Sequence, residues 1–525
     1  MSDRGRELGR ERQLEAVGLG GRLLEGPGAE LVASAGRLEA ADAPILDPGL
    51  NAADIGHAIV LLEAGVLPRE IGSRLVRELL ALRQVPLTAR PADPRLGDAF
   101  ANREAWLAER DAEAAGWLCA GRARREGTTT AYHIAVRDRL LAFAEALIGT
   151  GSTLVGLAES HIQTLMPDYT YLQQAQPTTL GHYLLGFAYP VLRDLDRVGA
   201  CYGRTNMSPA GVGGVNGTRW PIDRDRLAAL LGFDGLTTHA RDAMWQADQP
   251  LEVMSVVTAA LLNLDRLAED LQVWVTSEFD LIELSERHVR GSMVMPQKKN
   301  PYALAFVRGV ASATIGRLAG AATLGRTPSG QMDNRIFAYG EVPRALDLAT
   351  ETTRLMGAVL GGLTVNRELM ARRAHEGWAQ ATDLAEAVVV ETGLDYRAAH
   401  RVVGRAVRLA KERGVSPAAL SPALLDEAAS ELVGRPLGLE RRAISEAMDP
   451  ARGVAARRVP GGAAPAAVRD MVAECRARLA AARGWGEEAA ARLRAAAAAL
   501  EACAQQVVAA ATATPTREAS GSSIS

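Results

Sequence analysis

The chain has 525 residues, of which 48% are hydrophobic and 23% are charged, which excludes a disordered chain and, in bulk, a membrane protein. The 59 Lys and Arg against 62 Asp and Glu give a net charge of -3, and no basic run predicts a nucleic-acid surface. The first residues are charged where a secretory signal needs an apolar core, so we expect a cytoplasmic protein with neither nucleic acid nor membrane as partner.

Strong helix formers dominate and aromatic residues make up only 4%, which predicts an all-α fold. Proline-rich connectors interrupt residues 1–118, which we interpret as an N-terminal helical domain. Apolar residues recur at helical spacing in the next region, 119–365, and predict a bundle of five long helices at 128–165, 178–203, 251–290, 302–325 and 342–360. Their apolar stripes are wide, which fits a face shared with another subunit or a core within one chain.

The remaining sequence divides into two parts. Residues 366–485 contain shorter apolar stretches, interrupted at GVSPAALSP and GRPLG, and predict a C-terminal helical domain. Residues 486–525 combine an Ala-rich helical stretch with a tail, TPTREASGSSIS, that we expect to be disordered. The four cysteines are far apart and form no CxxC pair, so the sequence predicts neither a structural zinc site nor a disulfide framework.

One loop carries the residues best suited to chemistry. It has the sequence GSMVMPQKKNP at residues 291–301, between two of the longest apolar stretches. The pair Asn300 and Pro301 predicts the N-cap and first residue of the next helix, whose free N–H groups favour an anion. Lys298 and Lys299 stand beside it in a chain with one other lysine, Lys411. The loop therefore suits a carboxylate or an anionic intermediate.

This loop resembles the signature GSSxMPxKxNP of the fumarase, aspartase and argininosuccinate lyase superfamily. Other segments are similar to the argininosuccinate lyase branch: GRARREGTTTAYHIAVRD, MPDYTYLQQAQPTTLGHYLL and ATDLAEAVVVETGLDYRAAHRVVG. The resemblance covers about residues 15–485. It implies an all-helical, three-domain subunit with the fumarase/aspartase fold. It also implies a homotetramer whose core joins the long helices of all subunits, with each active site shared among three of them.

The resemblance also implies a reaction, the β-elimination of fumarate from a substituted succinate, without metal or organic cofactor. Ser292 matches the serine that is taken as the base. A serine is a poor base unless N–H groups and cations stabilise its alkoxide. Lys298 and Asn300 match positions that bind the succinyl carboxylate, whereas Met293 replaces the usual second serine.

Further substrate-binding residues follow from the same motifs. Thr170 would donate a hydrogen bond to a substrate carboxylate, and Arg124 would bind a carboxylate through two N–H groups. Arg125 and Gln176, in the same two motifs, and His57, in an N-terminal segment similar to the family, complete the expected set. For His57 the alternative of a hydrogen-bonded core histidine is the stronger one.

The sequence departs from the family where the proton donor is expected. Tyr171 stands in place of the histidine that follows the threonine, and Ala305 replaces the glutamate that supports this histidine. A phenol, whose ordinary pKa is about 10, suits a very basic leaving amine. The alternatives are a leaving group that needs no proton, or an inactive site that Tyr171 merely fills.

The substrate pocket departs as well. Ala123, Arg125, Glu126 and Gly127 stand where the family has Ser, Asn, Asp and Gln. The family's tyrosine, glutamine and lysine around SGQMDNRIFAYGE are replaced by residues near Gln331, Ile336 and Tyr339. We therefore expect a carbon-nitrogen lyase acting on an N-substituted aspartate, or adding an amine to fumarate. An argininosuccinate lyase with an unusual acid, or an inactive structural or regulatory homologue, are the alternatives.

Overall fold

The computed structural model describes residues 22–244, 246–328 and 335–512. Helices dominate the described residues, and their strands form only two-stranded ladders, so the predicted all-α class is confirmed. The tail expected to be disordered, TPTREASGSSIS at 514–525, and Gln331 lie outside the described residues.

The N-terminal helices pack onto the central bundle and share its hydrophobic core. Buried ion pairs also connect these helices. Asp54 is fully buried and accepts hydrogen bonds from both Arg103 and Arg122. Pairing of this kind is what allows a carboxylate to be buried. The helices are α1 (Ala29–Leu31), a π-helical segment (Val32–Gly36), α2 (Arg37–Ala41), α3 (Ala43–Glu63), α4 (Arg69–Gln84), α5 (Ala99–Arg110) and α6 (Ala112–Ala115).

The central region contains a long helix in each of the five predicted stretches, which confirms the bundle. The stretch 251–290 is helical only as far as Trp274, because the chain turns at Asp280, whose φ of 50° is left-handed, and continues in extended and 3₁₀ segments. The helices are α7 (Arg124–Ser160), α8 (Leu180–Thr205), α9 (Arg224–Leu230), α10 (Ala240–Met244), α11 (Asp248–Trp274), α12 (Tyr302–Leu324) and α13 (Arg335–Gly361).

Successive long helices of the bundle run in alternating directions. The start of α8 meets the end of α11, where Tyr183 donates a hydrogen bond to Asp270. The opposite pole brings α7 and α13 together near their first residues, where Thr129 contacts Tyr339. We call the first pole the signature end, defined by residues 161–179 and 275–301, and the second the arginine end, defined by residues 119–129 and 335–339.

Short ladders occupy the connections between helices. At the signature end, β1 (Leu165–Thr170) pairs antiparallel with β2 (Gln173–Thr179). The other ladders pair β3 (Met207–Ser208) with β4 (Gly235–Leu236), β5 (Ile282–Glu283) with β8 (Thr364–Val365), and β6 (Arg290–Gly291) with β7 (Lys299–Asn300). Of these ladders, β1–β2 and β6–β7 each form a hairpin at the signature end.

The C-terminal region contains a second hydrophobic core, formed between residues 384 and 448. Its helices and their neighbours are α14 (Arg367–Glu376), α15 (Ala381–Thr392), α16 (Tyr396–Glu412), a 3₁₀ turn (Pro417–Ala419), α17 (Pro422–Val433), α18 (Arg441–Ala447) and α19 (Pro450–Ala456). The final helix, α20 (Pro465–Thr512), has 48 residues and returns to the main core. The boundary expected at residue 485 falls inside α20, where the ring of Trp485 lies edge-on to Tyr202.

Among the helices that the structure describes, two, α3 and α7, are long and apolar enough to cross a membrane by length and composition alone. In this chain 78% of the most apolar stretch of α3 and 56% of that of α7 are buried. Core helices of soluble proteins show the same combination, so this composition is weak evidence for a membrane span.

Candidate active site

The loop singled out in the sequence folds as a hairpin, the signature hairpin of residues 290–300. Arg290 lies opposite Asn300 and Gly291 opposite Lys299 in its short ladder. The tip exposes apolar side chains, with Met293 at 102% and Val294 at 85% of full exposure. Large apolar side chains exposed together are typical of a surface that another molecule or chain covers.

Two backbone N–H groups are directed at the hydroxyl of Ser292. Its Oγ accepts hydrogen bonds from the backbone N–H groups of Val294, at 3.3 Å, and Met295, at 3.0 Å. Preorganised N–H groups directed at one oxygen stabilise negative charge on that oxygen. The local backbone therefore places two donors at this oxygen.

The adjacent lysines have different surroundings. The ammonium group of Lys299 lies 3.2 Å from Glu283 and 3.9 Å from Glu286. Within the described part of the chain, the side chain of Lys298 forms neither an ion pair nor a hydrogen bond. Of the two adjacent lysines, Lys298 is thus the one available to an anionic ligand.

Asn300 does not cap the following helix, so that prediction is wrong. The residue that precedes α12 is Pro301, and no side-chain hydrogen bond caps the helix. Asn300 is instead the last residue of β7, where pairing with Arg290 holds it in an extended conformation. Its amide is consequently not used as a helix cap.

A second hairpin, residues 165–179, presents another group of predicted residues. Tyr171 and Leu172 form its two-residue turn with φ values of 54° and 56°, the left-handed geometry of a type I′ turn. Asn and Gly are favoured at such positions, and a bulky residue there is strained. Tyr171 is 99% exposed, and Thr170 and Gln176 beside it are exposed too. In the single chain these side chains therefore face solvent.

Arg124 and Arg125 begin α7 at the arginine end. The side chain of Arg124 is 44% exposed, and its Nε lies 3.4 Å from Asp98. Arg125 is more buried and lies 3.1 Å from Glu39 and 3.7 Å from Asp98. Arg124 is thus the more accessible of these two guanidinium groups.

Glu126, noted in the sequence as a substituted pocket position, ties the start of α7 to the glycine-rich segment 211–217, a link that the sequence did not predict. Its carboxylate accepts the backbone N–H groups of Gly211, at 2.8 Å, and Gly213, at 2.5 Å. Burial raises the pKa of Glu126 to about 7, against the opposing effect of these hydrogen bonds and of Arg122. Gly213 has a φ of 74°, and a side chain there would approach the Gly217 carbonyl at 2.8 Å.

A buried polar cluster lies behind the first turn of α7. The hydroxyl of Tyr339 lies 3.0 Å from that of Thr129, and Arg335 donates to the same Thr129 oxygen at 2.7 Å. Tyr339 was noted in the sequence as a substituted pocket position, whereas Thr129 and Arg335 were not. Because the partners are about 200 residues apart, spacing gave no signal for them. Ile336, also noted in the sequence, lies half-buried beside Arg335.

His57 is a core histidine in the single chain. It is 1% exposed, and its Nε2 lies 2.8 Å from the carbonyl oxygen of Ala120. Burial, aided by the nearby Arg122, lowers the pKa of His57 well below its usual value, so the ring is neutral. No exposed ring atom supports the predicted substrate-binding role, which stays a prediction.

The predicted site residues divide between the two poles of the bundle. Ser292, Lys298, Asn300 and the 165–179 hairpin with Thr170, Tyr171 and Gln176 lie at the signature end. Arg124 and Arg125 lie at the arginine end, and α7, with 37 residues, separates the poles by about 55 Å. A single chain therefore does not bring the two groups together.

Comparison with known families gives consistent matches. A family model described as lyase matches residues 94–316, and one described as argininosuccinate lyase C-terminal matches residues 378–455. Argininosuccinate lyase of Methanothermobacter thermautotrophicus is 33% identical over 82% of this chain and 92% of its own length. That of Methanoculleus marisnigri is 34% identical over 83% of this chain and 88% of its own length.

Solved structures extend the similarity to the fold. EDDS lyase in complex with formate, and an EDDS lyase variant with bound fumarate, each align with a TM-score of 0.86 and 31% identity. Each alignment covers 94% of this chain and 98% of the other. The 3-carboxy-cis,cis-muconate lactonizing enzyme of Pseudomonas putida, with 20% identity and a TM-score of 0.66, shares the fold.

Proposed function

Because the chain belongs to the argininosuccinate lyase family, within the fumarase and aspartase superfamily, we propose that it cleaves fumarate from an N-substituted aspartate other than argininosuccinate. The enzyme class itself is a carbon-nitrogen lyase that eliminates fumarate. Beyond that class, we propose the substrate, the roles of the site residues and the oligomeric state. The observation that carries it is the hydroxyl of Ser292, which accepts two backbone N–H groups beside Lys298.

In the proposed reaction, the Ser292 alkoxide removes a proton from the carbon next to a substrate carboxylate. The electron pair moves into that carboxylate and forms an aci-carboxylate with additional negative charge. Lys298 and Asn300 bind this group, while Thr170 and Arg124 bind the other carboxylate. The intermediate then forms the carbon-carbon double bond of fumarate as the C–N bond breaks, and the nitrogen takes the bonding electrons.

The leaving nitrogen needs a proton unless it is a stable anion. Tyr171 is proposed as the donor because it occupies the position of the family's histidine and its hydroxyl is exposed at the tip of the 165–179 hairpin. A phenol is a weak acid, so it serves best when the amine that leaves is strongly basic. The alternative, a leaving group that departs unprotonated, makes Tyr171 dispensable.

An altered leaving-group pocket supports a substrate other than argininosuccinate. Arg125, bound to Glu39, stands where the family has Asn, and buried Tyr339 stands near the position of the family's lysine. These groups differ in size and charge from those they replace. Since a site with changed hydrogen-bonding groups discriminates strongly between substrates, the leaving amine should differ too.

We also propose a homotetramer in the cytoplasm. Between its ends α12 carries only Arg308 and Arg317 as charged residues, yet its exposed face includes Phe306, at 39%, and Ile315, at 50%. A long helix with an apolar exposed face is typical of subunit interfaces. Antiparallel packing of such helices from different chains would bring a signature end beside an arginine end.

The experiment is to mix the purified protein with fumarate and a panel of amines and amino acids, and to follow loss of the ultraviolet absorbance of fumarate. Consumption with at least one amine, abolished by Ser292→Ala, is the expected result. No consumption with any amine, and no fumarate release from succinyl conjugates, would favour an inactive homologue.

A second candidate is the cleavage of argininosuccinate itself, which the curated relatives at 33% and 34% identity favour. An assay with argininosuccinate separates the two. Turnover of argininosuccinate that matches or exceeds the best amine would reject the proposed change of substrate.

A further inference from the structure

A cleft at the signature end lies outside the residues assigned to the elimination. It has a volume of about 560 Å³ and lies between the end of α7, the start of β1, α14 and the start of α20. Its size falls in the range of small-molecule sites. The residues that line it include Glu159, Gln163, Leu165, Arg367 and Arg469.

Two guanidinium groups line this cleft, and neither has a partner among the residues that the structure describes. In the described ranges, neither Arg367 nor Arg469 forms an ion pair or a side-chain hydrogen bond. Neighbouring arginines outside the cleft are paired, as Arg372 is with Glu376 on the same helix, α14. Two unpaired cations from separate helices on one cleft indicate a site for negative charge.

The acidic side chain that lines the cleft does not neutralise them. Glu159 is bound by Arg476 through both carboxylate oxygens, at 2.8 and 2.5 Å. His161, behind the cleft, adds no negative charge, since burial and the nearby Arg367 lower its pKa and keep the ring neutral. The local balance is therefore an excess of positive charge beside neutral groups.

Neutral polar groups complete the lining. The side chain of Gln163 is exposed and forms no hydrogen bond within the described residues. An amide N–H₂ and two forked guanidinium groups together match the several acceptor oxygens of a phosphate or diphosphate. The cleft is also larger than a single phosphate requires, which leaves room for an organic part.

We propose that this cleft binds a phosphorylated small molecule, with Arg367 and Arg469 binding its phosphate oxygens. The occupant would also contact Leu165, the first residue of β1, whose hairpin carries Thr170 and Tyr171 at its far end. The site is thus separate from the elimination chemistry but next to the hairpin that presents three of the residues predicted for that chemistry.

The test is isothermal titration calorimetry of the full-length protein with sodium pyrophosphate. Wild type should bind with a Kd below about 1 mM, and Arg367→Ala and Arg469→Ala should each weaken binding at least about fivefold. Arg372→Ala is the matched control, because it removes an equal charge from α14 outside the cleft. Its affinity should stay within about twofold of wild type.

The result depends on binding alone, so it does not depend on the proposed reaction. All of these arginines are exposed, and circular dichroism of each variant checks that the fold is retained. No heat of binding to wild type, or equal weakening by all three substitutions, would overturn the proposal. Fumarate can also be added as a competitor of pyrophosphate. If it inhibits pyrophosphate binding equally in wild type and Ser292→Ala, the cleft is a general dianion site and the proposal is overturned.

Discussion

The hydroxyl oxygen of Ser292 accepts the backbone N–H of Met295 at 3.0 Å inside the signature hairpin. The N–H of Val294 donates to the same oxygen at 3.3 Å, so two backbone donors of the hairpin converge on one oxygen. This pair of hydrogen bonds forms within one chain, without substrate or partner. In the proposed tetramer, another chain would supply Arg124 to this hairpin.

Ser292→Ala should lower kcat by about 1,000-fold, because it removes the group that takes the substrate proton. The protein should keep its stability, since the hydroxyl bonds only to neighbouring backbone. Rates of fumarate formation and thermal unfolding curves measure the two effects. Ser285→Ala is the control, because Ser285 caps the neighbouring 3₁₀ turn, and its turnover should change less than about twofold.

Substitution of the two adjacent lysines should have very different effects on kcat/KM. Lys298→Met should reduce kcat/KM by at least about 100-fold, since it removes a cation available to the developing negative charge. Lys299→Met should cost only a few-fold, because Lys299 pairs with Glu283. Steady-state kinetics of both variants provide the comparison. Equal losses of kcat/KM in the two variants would show that only the total charge of the hairpin matters, and not the position of Lys298.

Glu126 should make stability depend on pH. Its folded pKa of about 7 lies above the ordinary glutamate value of 4.5, so the folded protein binds the proton more tightly. Between pH 4.5 and 7 the unfolded chain ionises first, and stability should fall by up to about 3 kcal/mol, then level off.

Glu126→Gln removes that titration but has its own pH-independent cost, because an amide offers only one acceptor oxygen to the two glycine N–H groups. The stability of wild type relative to the Gln variant should therefore decline from pH 5 to 7. Thermal unfolding at several pH values measures it. A constant difference across that range would show that Glu126 does not titrate there.

The docking of α20 should contribute to stability. Leu500 is 6% exposed in the main core, so Leu500→Ala should cost about 2–4 kcal/mol. Arg494→Ala, on an exposed position of the same helix, should change stability by less than about 0.5 kcal/mol. Denaturant titrations compare the two. A negligible effect of Leu500→Ala would mean that this part of α20 is not docked in solution.

Periodicity was sufficient to predict the five long helices, because their apolar residues face a shared core. It could not predict that α11 ends at Trp274, since residues 275–290 contain no Gly or Pro and the turn depends on Asp280 adopting a left-handed φ. The docking of α20 could not be predicted from the sequence either, because an Ala-rich helix carries only a weak apolar stripe.

The site was only partly readable from the sequence. A contiguous motif singled out Ser292 and Lys298 as candidates, because both lie in one loop. The incorrect cap at Asn300 shows the limit of local rules, since pairing with Arg290 overrides the capping preference. The partners of Glu126, Gly211 and Gly213, could not be predicted from spacing because they lie more than eighty residues away.

The most direct test mixes two inactive variants, Ser292→Ala and Arg124→Ala, by unfolding and refolding them together. If each site draws its signature hairpin and its α7 start from different chains, about one quarter of the sites in a random 1:1 mixture should be intact and active. Recovery near that fraction of wild-type fumarate formation is the predicted result. Activity no higher than that of the separate variants, in mixed assemblies shown to contain both chains, would contradict the shared site.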